Sequence, residues 1–236
     1  MKELESIDFK LRLVEKTADL KTHQWVYQLL RTNLLCGRIS PGNALTIRGL
    51  AQLLDVSPMP VREALHRLAC EGAIEVKNNR RVIVPVMTAE KFEELSQLRI
   101  VLETHAAVSA MPHVDNQHLE TLVKLDTKIN VAVEKGAIED IALGNQQFHR
   151  SLYSANPAQR SVPLIESLWL QLGPFSRIVI SKLKKIYRVD HHVAAIEAIR
   201  GQNESALHNA IKADIRAGIS SINSLEDVNQ YFEGVA

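Results

Sequence analysis

In the first third of the chain, apolar residues recur at intervals of three and four, which is the period of an amphipathic helix. One such pattern runs from about Thr22 to Cys36 and stops at Gly37, a residue suited to a helix C-terminus. A second pattern covers "IRGLAQLLD" after Thr46, a possible N-cap, and a third begins after Ser57 and continues through "PVREALHRLAC". The intervening "ISPGNAL" is predicted to be a turn. The runs "AIEVK" and "RVIVPV" favour two short β-strands joined at "NNR".

After Pro85 the apolar pattern lengthens. The stretch "MTAEKFEELSQLRIVLETHAAVSAM" is predicted to be one long helix capped by Thr88. Further helices are predicted at about 115–135, 138–154, 160–186, 189–201 and 203–224. The pair Gly173-Pro174 is expected to kink or split the helix in which it lies. The first 18 residues are polar and irregular, and we expect them to form a loose arm.

The composition indicates a folded, intracellular protein. Hydrophobic residues make up 46% of the chain, which argues against general disorder, while aromatic residues make up only 5%, which favours helices packed through aliphatic side chains. No run of 18 apolar residues and no apolar signal core is found, so we expect no membrane span and a cytoplasmic location. Cys36 and Cys70 have no CxxC partner and no histidine at metal-site spacing, which favours two reduced thiols.

Charge is distributed unevenly. The chain has a formal net charge of +1, yet residues 21–88 carry nine Lys or Arg against four Asp or Glu, whereas residues 89–236 carry fifteen against eighteen. A basic segment of three helices and a hairpin has the plan of a winged helix-turn-helix, in which one helix enters the DNA major groove. We therefore predict a mainly α protein: an N-terminal winged helix-turn-helix (three helices plus a β-hairpin) followed by an all-α helical bundle.

The N-terminal motifs make this prediction more specific. The sequence contains a G-R…P-G turn at 37–42, the entry "LAQLLDVS" and the helix "PVREALHRLACEG". Together they resemble the GntR family of bacterial transcription regulators over about 65 residues. We accordingly predict an arm at 1–20, a DNA-binding domain at 21–87 and a helical domain at 88–236.

The resemblance implies a DNA-binding surface. Its residues are Arg48, Ser57, Met59, Arg62, Asn78, Asn79 and Arg80. By the same resemblance, Arg62 reads guanine, Arg48 contacts DNA and Ser57 bonds phosphate. The three residues 78–80 form the wing tip, which enters the minor groove.

Two positions depart from the family pattern. Pro58 stands where many members have a DNA-contacting arginine, so we expect weaker direct readout there. Asn79 stands where glycine is usual, although asparagine tolerates a positive φ better than most residues. Arg38 and Arg67 leave two alternatives open, because each could contact DNA or be exposed or paired with a nearby glutamate.

A second constellation lies in the helical part. The motif "GNQQFHRSLYSAN" places Asn145 and His149 one turn apart, "DHHVAAIEAI" supplies His191 and His192, and "AIKADIRAGI" supplies Asp214. With "ELSQLRIVLETHAA", these motifs resemble the FCD ligand-binding domain, which follows the GntR module in the FadR branch. Many FCD domains bind a divalent metal through one Asp and three His.

The resemblance implies a metal site made of Asn145, His149, His192 and Asp214, with Asn in place of the usual Asp and Asp in place of one His. Zn²⁺, Ni²⁺ and Mn²⁺ remain candidates, since all accept imidazole and carboxylate ligands. The alternative is a hydrogen-bonded polar cluster that holds a ligand directly or is only structural. His191 and His192 could exchange roles.

The resemblance also implies an effector pocket. Arg99 matches an arginine that in some FCD proteins pairs with an effector carboxylate; the alternative is an internal ion pair with Glu103 at i+4. Tyr153, Asn156 and Arg177 are further candidates to line the pocket, although each could instead be packing or surface.

The predicted function is therefore a DNA-binding transcriptional regulator, a repressor, and not an enzyme. A homodimer would bind a pseudo-palindromic operator, and a small-molecule effector, an organic acid, would control its affinity. One alternative is a metal-dependent enzyme using His149, His192 and Asp214, which are the ligand types of non-haem iron oxygenases. Another is a structural nucleoid protein that uses the basic module alone.

Overall fold

The computed structural model describes residues 11–77, 81–175, 177 and 191–220. These residues pack as two units. The first contains the described residues up to Met87 together with Trp169–Phe175, and the second contains the remainder. In the described part of the chain, no helix is both long enough and apolar enough to cross a membrane.

Three helices form the core of the first unit: α1 (Thr22–Leu35), α2 (Ile47–Leu53) and α3 (Pro58–Cys70). The apolar stripe predicted for α1 is fully buried, and α1 packs against α3. Thr46 caps α2 as predicted, because its hydroxyl accepts a hydrogen bond from the Gly49 amide at 3.1 Å. Gly37 follows α1 with a φ of 70°, a left-handed conformation that glycine adopts without strain.

A three-stranded antiparallel sheet accompanies these helices. Its strands are β1 (Ala44–Leu45), β2 (Glu75–Val76) and β3 (Val82–Ile83), in the order β1-β3-β2. The two predicted wing strands are β2 and β3, which pair with Val76 opposite Val82. The interpretation of "ISPGNAL" as a turn alone is wrong at its C-terminal end, because β1 pairs with β3 there. The predicted hairpin is therefore part of a larger sheet.

The segment before α1 is held by a buried asparagine. Asn33 is fully buried, and its side-chain oxygen accepts a hydrogen bond from the Arg12 amide at 2.6 Å. Its nitrogen donates to the Arg12 carbonyl at 2.9 Å, and the Trp25 indole donates to the Val14 carbonyl at 2.8 Å. Where a loose arm was expected, residues 12 and 14 are thus anchored to α1.

The second unit is helical. Its helices are α4 (Ala89–Ala110), α5 (Asn116–Lys135), α6 (Ile138–Tyr153), α7 (Val162–Leu172), α8 (His191–Arg200) and α9 (Glu204–Ser220), with a 3-10 turn at Met111–His113. Only the residues of α7 up to Leu168 belong to this unit. Thr88 caps α4 as predicted, and Gly136 ends α5 in the left-handed conformation. Packing contacts join α4 to α6 and α9, α5 to α6 and α8, and α8 to α9. The predicted fold class, mainly α with a small sheet and a helical second domain, is confirmed.

The end of α7 returns to the first unit. Trp169–Phe175 clusters with it, and the helix gives way to a 3-10 turn at Gly173–Phe175, which confirms the predicted split at Gly173-Pro174. A Cβ atom at Gly173 would lie 2.7 Å from the Leu34 carbonyl oxygen. Only glycine permits this close approach to the end of α1. The rest of the predicted helix to 186 lies outside the described residues, apart from 177.

Candidate nucleic-acid interface and metal centre

Two exposed arginines lie near the N-termini of α2 and α3. Arg48 is the second residue of α2, and Arg62 is the fifth residue of α3. Both are exposed, and within the described residues neither forms a hydrogen bond or an ion pair. Their guanidinium groups are therefore available for phosphate oxygens or base edges.

The N-terminus of α3 has the predicted N-cap and proline positions. Ser57 is the N-cap residue, with an extended backbone, and Pro58 begins the helix. Amides of the first helical turn have no intrahelical partner, so the prolines at 58 and 60 remove no helix hydrogen bond. The Ser57 hydroxyl makes no capping bond, and the Met59 side chain is 60% exposed. Both side chains lie at a surface that a ligand can reach.

Arg67, by contrast, contacts a glutamate and a tyrosine of the same unit. Its Nε donates to Oε1 of Glu71 at 3.0 Å, and its guanidinium carbon lies 3.7 Å from the centre of the Tyr27 ring. The Tyr27 hydroxyl donates to the same Glu71 carboxylate at 2.8 Å. Burial, together with this carboxylate, raises the pKa of Tyr27 to about 12. The pairing of Arg67 with a glutamate, which the sequence left open, is thus present. The predicted wing-tip residues Asn78, Asn79 and Arg80 lie outside the described residues.

Three side chains from three helices of the second unit converge. His149 of α6, His192 of α8 and Asp214 of α9 place one ligand atom each within 4.8 Å of one another. Nε2 of His149 lies 3.0 Å from Oδ2 of Asp214, and Nε2 of His192 lies 3.9 Å from Oδ1. Both imidazoles are almost completely buried. The structure therefore brings together three of the four predicted metal ligands.

Each imidazole has a hydrogen-bond partner at Nδ1, the ring nitrogen that does not face Asp214. Nδ1 of His149 lies 2.9 Å from the Tyr153 hydroxyl, which donates to Oε2 of Glu103 at 3.0 Å. Nδ1 of His192 lies 3.2 Å from Oδ1 of Asp126. Because carboxylates only accept hydrogen bonds, this network assigns a proton to both Nδ1 atoms. Both Nε2 atoms then face Asp214, an arrangement that needs a cation, either a proton or a metal ion, between nitrogen and carboxylate.

The surroundings of the cluster are rich in negative charge. Burial by itself raises the pKa of Asp214, but the hydrogen bond from His149 and nearby positive charges hold that pKa below its usual value. Burial and the neighbouring Glu103 raise the pKa of Tyr153 well above its usual value, so this hydroxyl stays protonated. Arg99 is a permanent cation in direct contact with Glu103, with its Nε 2.7 Å from Oε1. The carboxylates of Glu103 and Asp214 both act on Arg99, and this negative charge favours a bound cation at the cluster.

The donor set fits a divalent metal. Two imidazoles and a carboxylate are ligands that zinc, nickel and manganese accept. In a tetrahedral zinc site with bonds of about 2.0–2.1 Å, neighbouring ligand atoms lie roughly 3.3 Å apart. The separations of 3.0 and 3.9 Å at Asp214 lie on either side of this distance. By its geometry, the cluster of His149, His192 and Asp214 could hold a metal ion.

The remaining predicted site residues are placed differently. Asn145 is half-buried and lies one turn before His149. Arg99 is joined to the cluster through Glu103, so the predicted i+4 ion pair is present. Asn156 instead donates to the Ser109 hydroxyl at 2.8 Å, and Arg177 pairs with Glu139 at 3.3 Å. Among the four predicted effector residues, Arg99 and Tyr153 are therefore those connected to the cluster.

Asp126 belongs to the site but lies in none of the motifs that mark the ligands. A signal existed, because Asp126 lies on the buried stripe of α5 beside Leu122, Leu125 and Ile129. A carboxylate on an apolar stripe indicates a buried partner. That partner, His192, is 66 residues away, so only the tertiary structure identifies it.

Comparison with known proteins identifies the family. Residues 22–84 match the family described as "Bacterial regulatory proteins, gntR family", and residues 94–217, more than half of the chain, match the FCD domain. The chain is a GntR-family regulator with an FCD domain. In this family the helix-turn-helix domain binds DNA and the FCD domain binds effectors, so the two sites described above lie in the domains that carry these functions.

Individual relatives agree with this identification. The HTH-type transcriptional regulator McbR of Escherichia coli (strain K12) is 33% identical over 145 residues, which are 61% of this chain and 66%, just under two thirds, of McbR. The gluconate operon transcriptional repressor of Bacillus subtilis (strain 168) is 26% identical over 189 residues, 75% of each chain. The solved structure of E. coli McbR/YncC has a TM-score of 0.79 at 25% identity and covers 90% of this chain and 99% of that one. These names are those of regulators and point away from an enzyme.

Proposed function

We propose that this GntR regulator is a repressor whose affinity for its operator is controlled by a metal-dependent effector site in the FCD domain. Repression is the function named for the relative from Bacillus subtilis. The proposal places the protein in the cytoplasm, where the operator is. The observation that carries it is the convergence of His149, His192 and Asp214 inside the domain that binds effectors in this family.

The DNA-binding half of the proposal rests on Arg48 and Arg62. Both are exposed and unpaired within the described residues, and both lie near the N-termini of their helices. A bidentate contact from Arg62 to guanine would contribute about 1–3 kcal/mol of discrimination. Arg48 and Ser57 would position the module on phosphates, and Met59 would lie at the same surface.

A homodimer would match a pseudo-palindromic operator, because a two-fold protein presents two identical DNA-binding modules. Apolar side chains exposed on α4 support this part of the proposal. Leu98 is 43% exposed and Val101 is 64% exposed. They are three residues apart and so lie on one helix face, which a second copy would cover.

In the effector half, His149, His192 and Asp214 would hold the ion, with Asn145 as a fourth donor. The ion would supply a positive centre for an anionic effector. Arg99 would contribute the second cation. Its Nε donates to Glu103, but a guanidinium has five N–H donors, so an organic acid can bind Arg99 without displacing Glu103.

Calorimetric titration of metal-free protein with Zn²⁺ tests the proposed site. Wild type should bind one ion per chain. His149→Ala should lose more affinity than the roughly 10–100-fold that follows removal of a supporting residue. His191→Ala is the matched control, since it removes a neighbouring imidazole that is not part of the cluster, and it should bind like wild type. If wild type binds no metal, or if His149→Ala binds as well as wild type, the proposed site is wrong.

A further inference from the structure

A buried carboxylate on α5 lies behind the predicted metal ligands. Asp126 is only 6% exposed, although it lies on a helix stripe that is otherwise apolar. Its two oxygens have separate partners: Oδ1 accepts from Nδ1 of His192 at 3.2 Å, and Oδ2 accepts from Nδ2 of Asn130 at 3.2 Å. A buried carboxylate is costly unless its charge is compensated. Neither of these partners is a permanent cation, so within the described part of the chain the imidazole is the group that can compensate the charge.

Asp126 also determines which nitrogen of His192 faces the cluster. With the proton assigned to Nδ1, the lone pair of His192 is on Nε2, and Nε2 is the atom nearer to Asp214. The ring of Phe148 lies against the imidazole, with centroids 4.2 Å apart and planes inclined by 30°. The hydrogen bond and this ring contact together restrict rotation of His192.

We propose that Asp126 is a positioning residue of the metal centre, which orients His192 and strengthens it as a ligand without touching the ion. This inference rests on the proposed metal binding. Carboxylate–histidine pairs behind a metal fix the tautomer and raise the basicity of the ligand nitrogen. This role explains why a carboxylate is buried at position 126, which the three ligands alone leave unexplained.

The test compares Asp126→Asn, which keeps a neutral acceptor of similar size, with Asp126→Ala, which removes the acceptor. Zn²⁺ affinity is measured by calorimetry on the metal-free full chain, and the visible absorption of bound Co²⁺ reports ligand geometry. We expect the dissociation constant to rise by about 10-fold for Asp126→Asn and toward 100-fold for Asp126→Ala, with an altered Co²⁺ spectrum. Glu120→Gln removes an exposed carboxylate from the same helix and should change neither quantity.

The outcomes separate this inference from the proposed function. If wild type binds Zn²⁺, His149→Ala does not, and both Asp126 variants bind within about twofold of wild type, the role of Asp126 is wrong while the metal site stands. A purely structural role predicts a lower melting temperature with unchanged affinity and spectrum, which also contradicts the proposal. If Asp126→Ala fails to fold, Asp126→Asn decides the question. Absence of Zn²⁺ binding by wild type contradicts both proposals.

Discussion

At the scale of single residues, the candidate metal centre differs from the family pattern in where its negative charge lies. The resemblance implies an aspartate at position 145 and a histidine at position 214, whereas this chain has Asn145 and Asp214. The Asp214 carboxylate contacts Nε2 of His149 at 3.0 Å, so one carboxylate is retained at a different corner of the cluster. Position 145, where the resemblance implies an aspartate, carries no charge in this chain because it is an asparagine.

Restoring the charge at this corner should strengthen metal binding. Asn145→Asp adds an anionic donor one turn before His149, and we expect Zn²⁺ to bind about tenfold more tightly, or 1.4 kcal/mol. Without metal, a negative charge at this half-buried position should lower the melting temperature. Gln147→Glu places the same charge at an exposed position of α6 and should do neither. Equal affinities of Asn145→Asp and wild type in calorimetry would show that position 145 is not a ligand.

The candidate metal ligands can be identified from sequence, whereas the residues that hydrogen-bond to them cannot. His149, His192 and Asp214 are found because family motifs mark their positions. Asp126 and the Tyr153–Glu103 contact are not, because each links residues at least 50 positions apart in the chain. Their roles follow from packing between helices, which periodicity does not encode.

At the scale of elements, long helices are predicted well because their apolar period and caps are local properties. Thr46 and Thr88 were identified as caps from sequence, and both side chains accept the expected amide hydrogen bond. The strand β1 was missed, since two residues carry too little pattern and its existence depends on pairing with β3. The return of Trp169–Phe175 to the first unit is likewise a tertiary feature.

The packing of Gly173 against the end of α1 gives a stability prediction. Gly173→Ala would place a Cβ atom 2.7 Å from the Leu34 carbonyl oxygen and 2.8 Å from the Leu35 Cα, so the backbone must shift. We expect a loss of about 1–3 kcal/mol and a lower melting temperature of the first unit in scanning calorimetry. In Gly201→Ala the atom nearest to the new Cβ is the Glu197 carbonyl oxygen, at an ordinary van der Waals distance of 3.4 Å, and the change should stay within about 0.5 kcal/mol. Equal melting temperatures for the two variants would contradict the required close approach.

At the scale of the whole molecule, the chain combines a basic DNA-binding module with a helical domain whose candidate site favours a bound cation. The charge division between residues 21–88 and 89–236 is visible in the sequence and agrees with the family assignment. The operator is bound, in this proposal, by the module alone. The charges of Arg48 and Arg62 should therefore contribute more to the affinity than that of Arg67, which is engaged by Glu71 and Tyr27.

The most direct test is the affinity of Arg62→Ala for DNA sites that the wild-type protein selects from a random library, measured by fluorescence anisotropy at several salt concentrations. We predict a loss of about 1–3 kcal/mol with relaxed preference at one base pair, since a bidentate contact to guanine is removed. Lys124→Ala removes one exposed positive charge from the helical domain and should bind like wild type. If Arg62→Ala keeps both the affinity and the sequence preference of wild type, α3 does not read the operator as proposed.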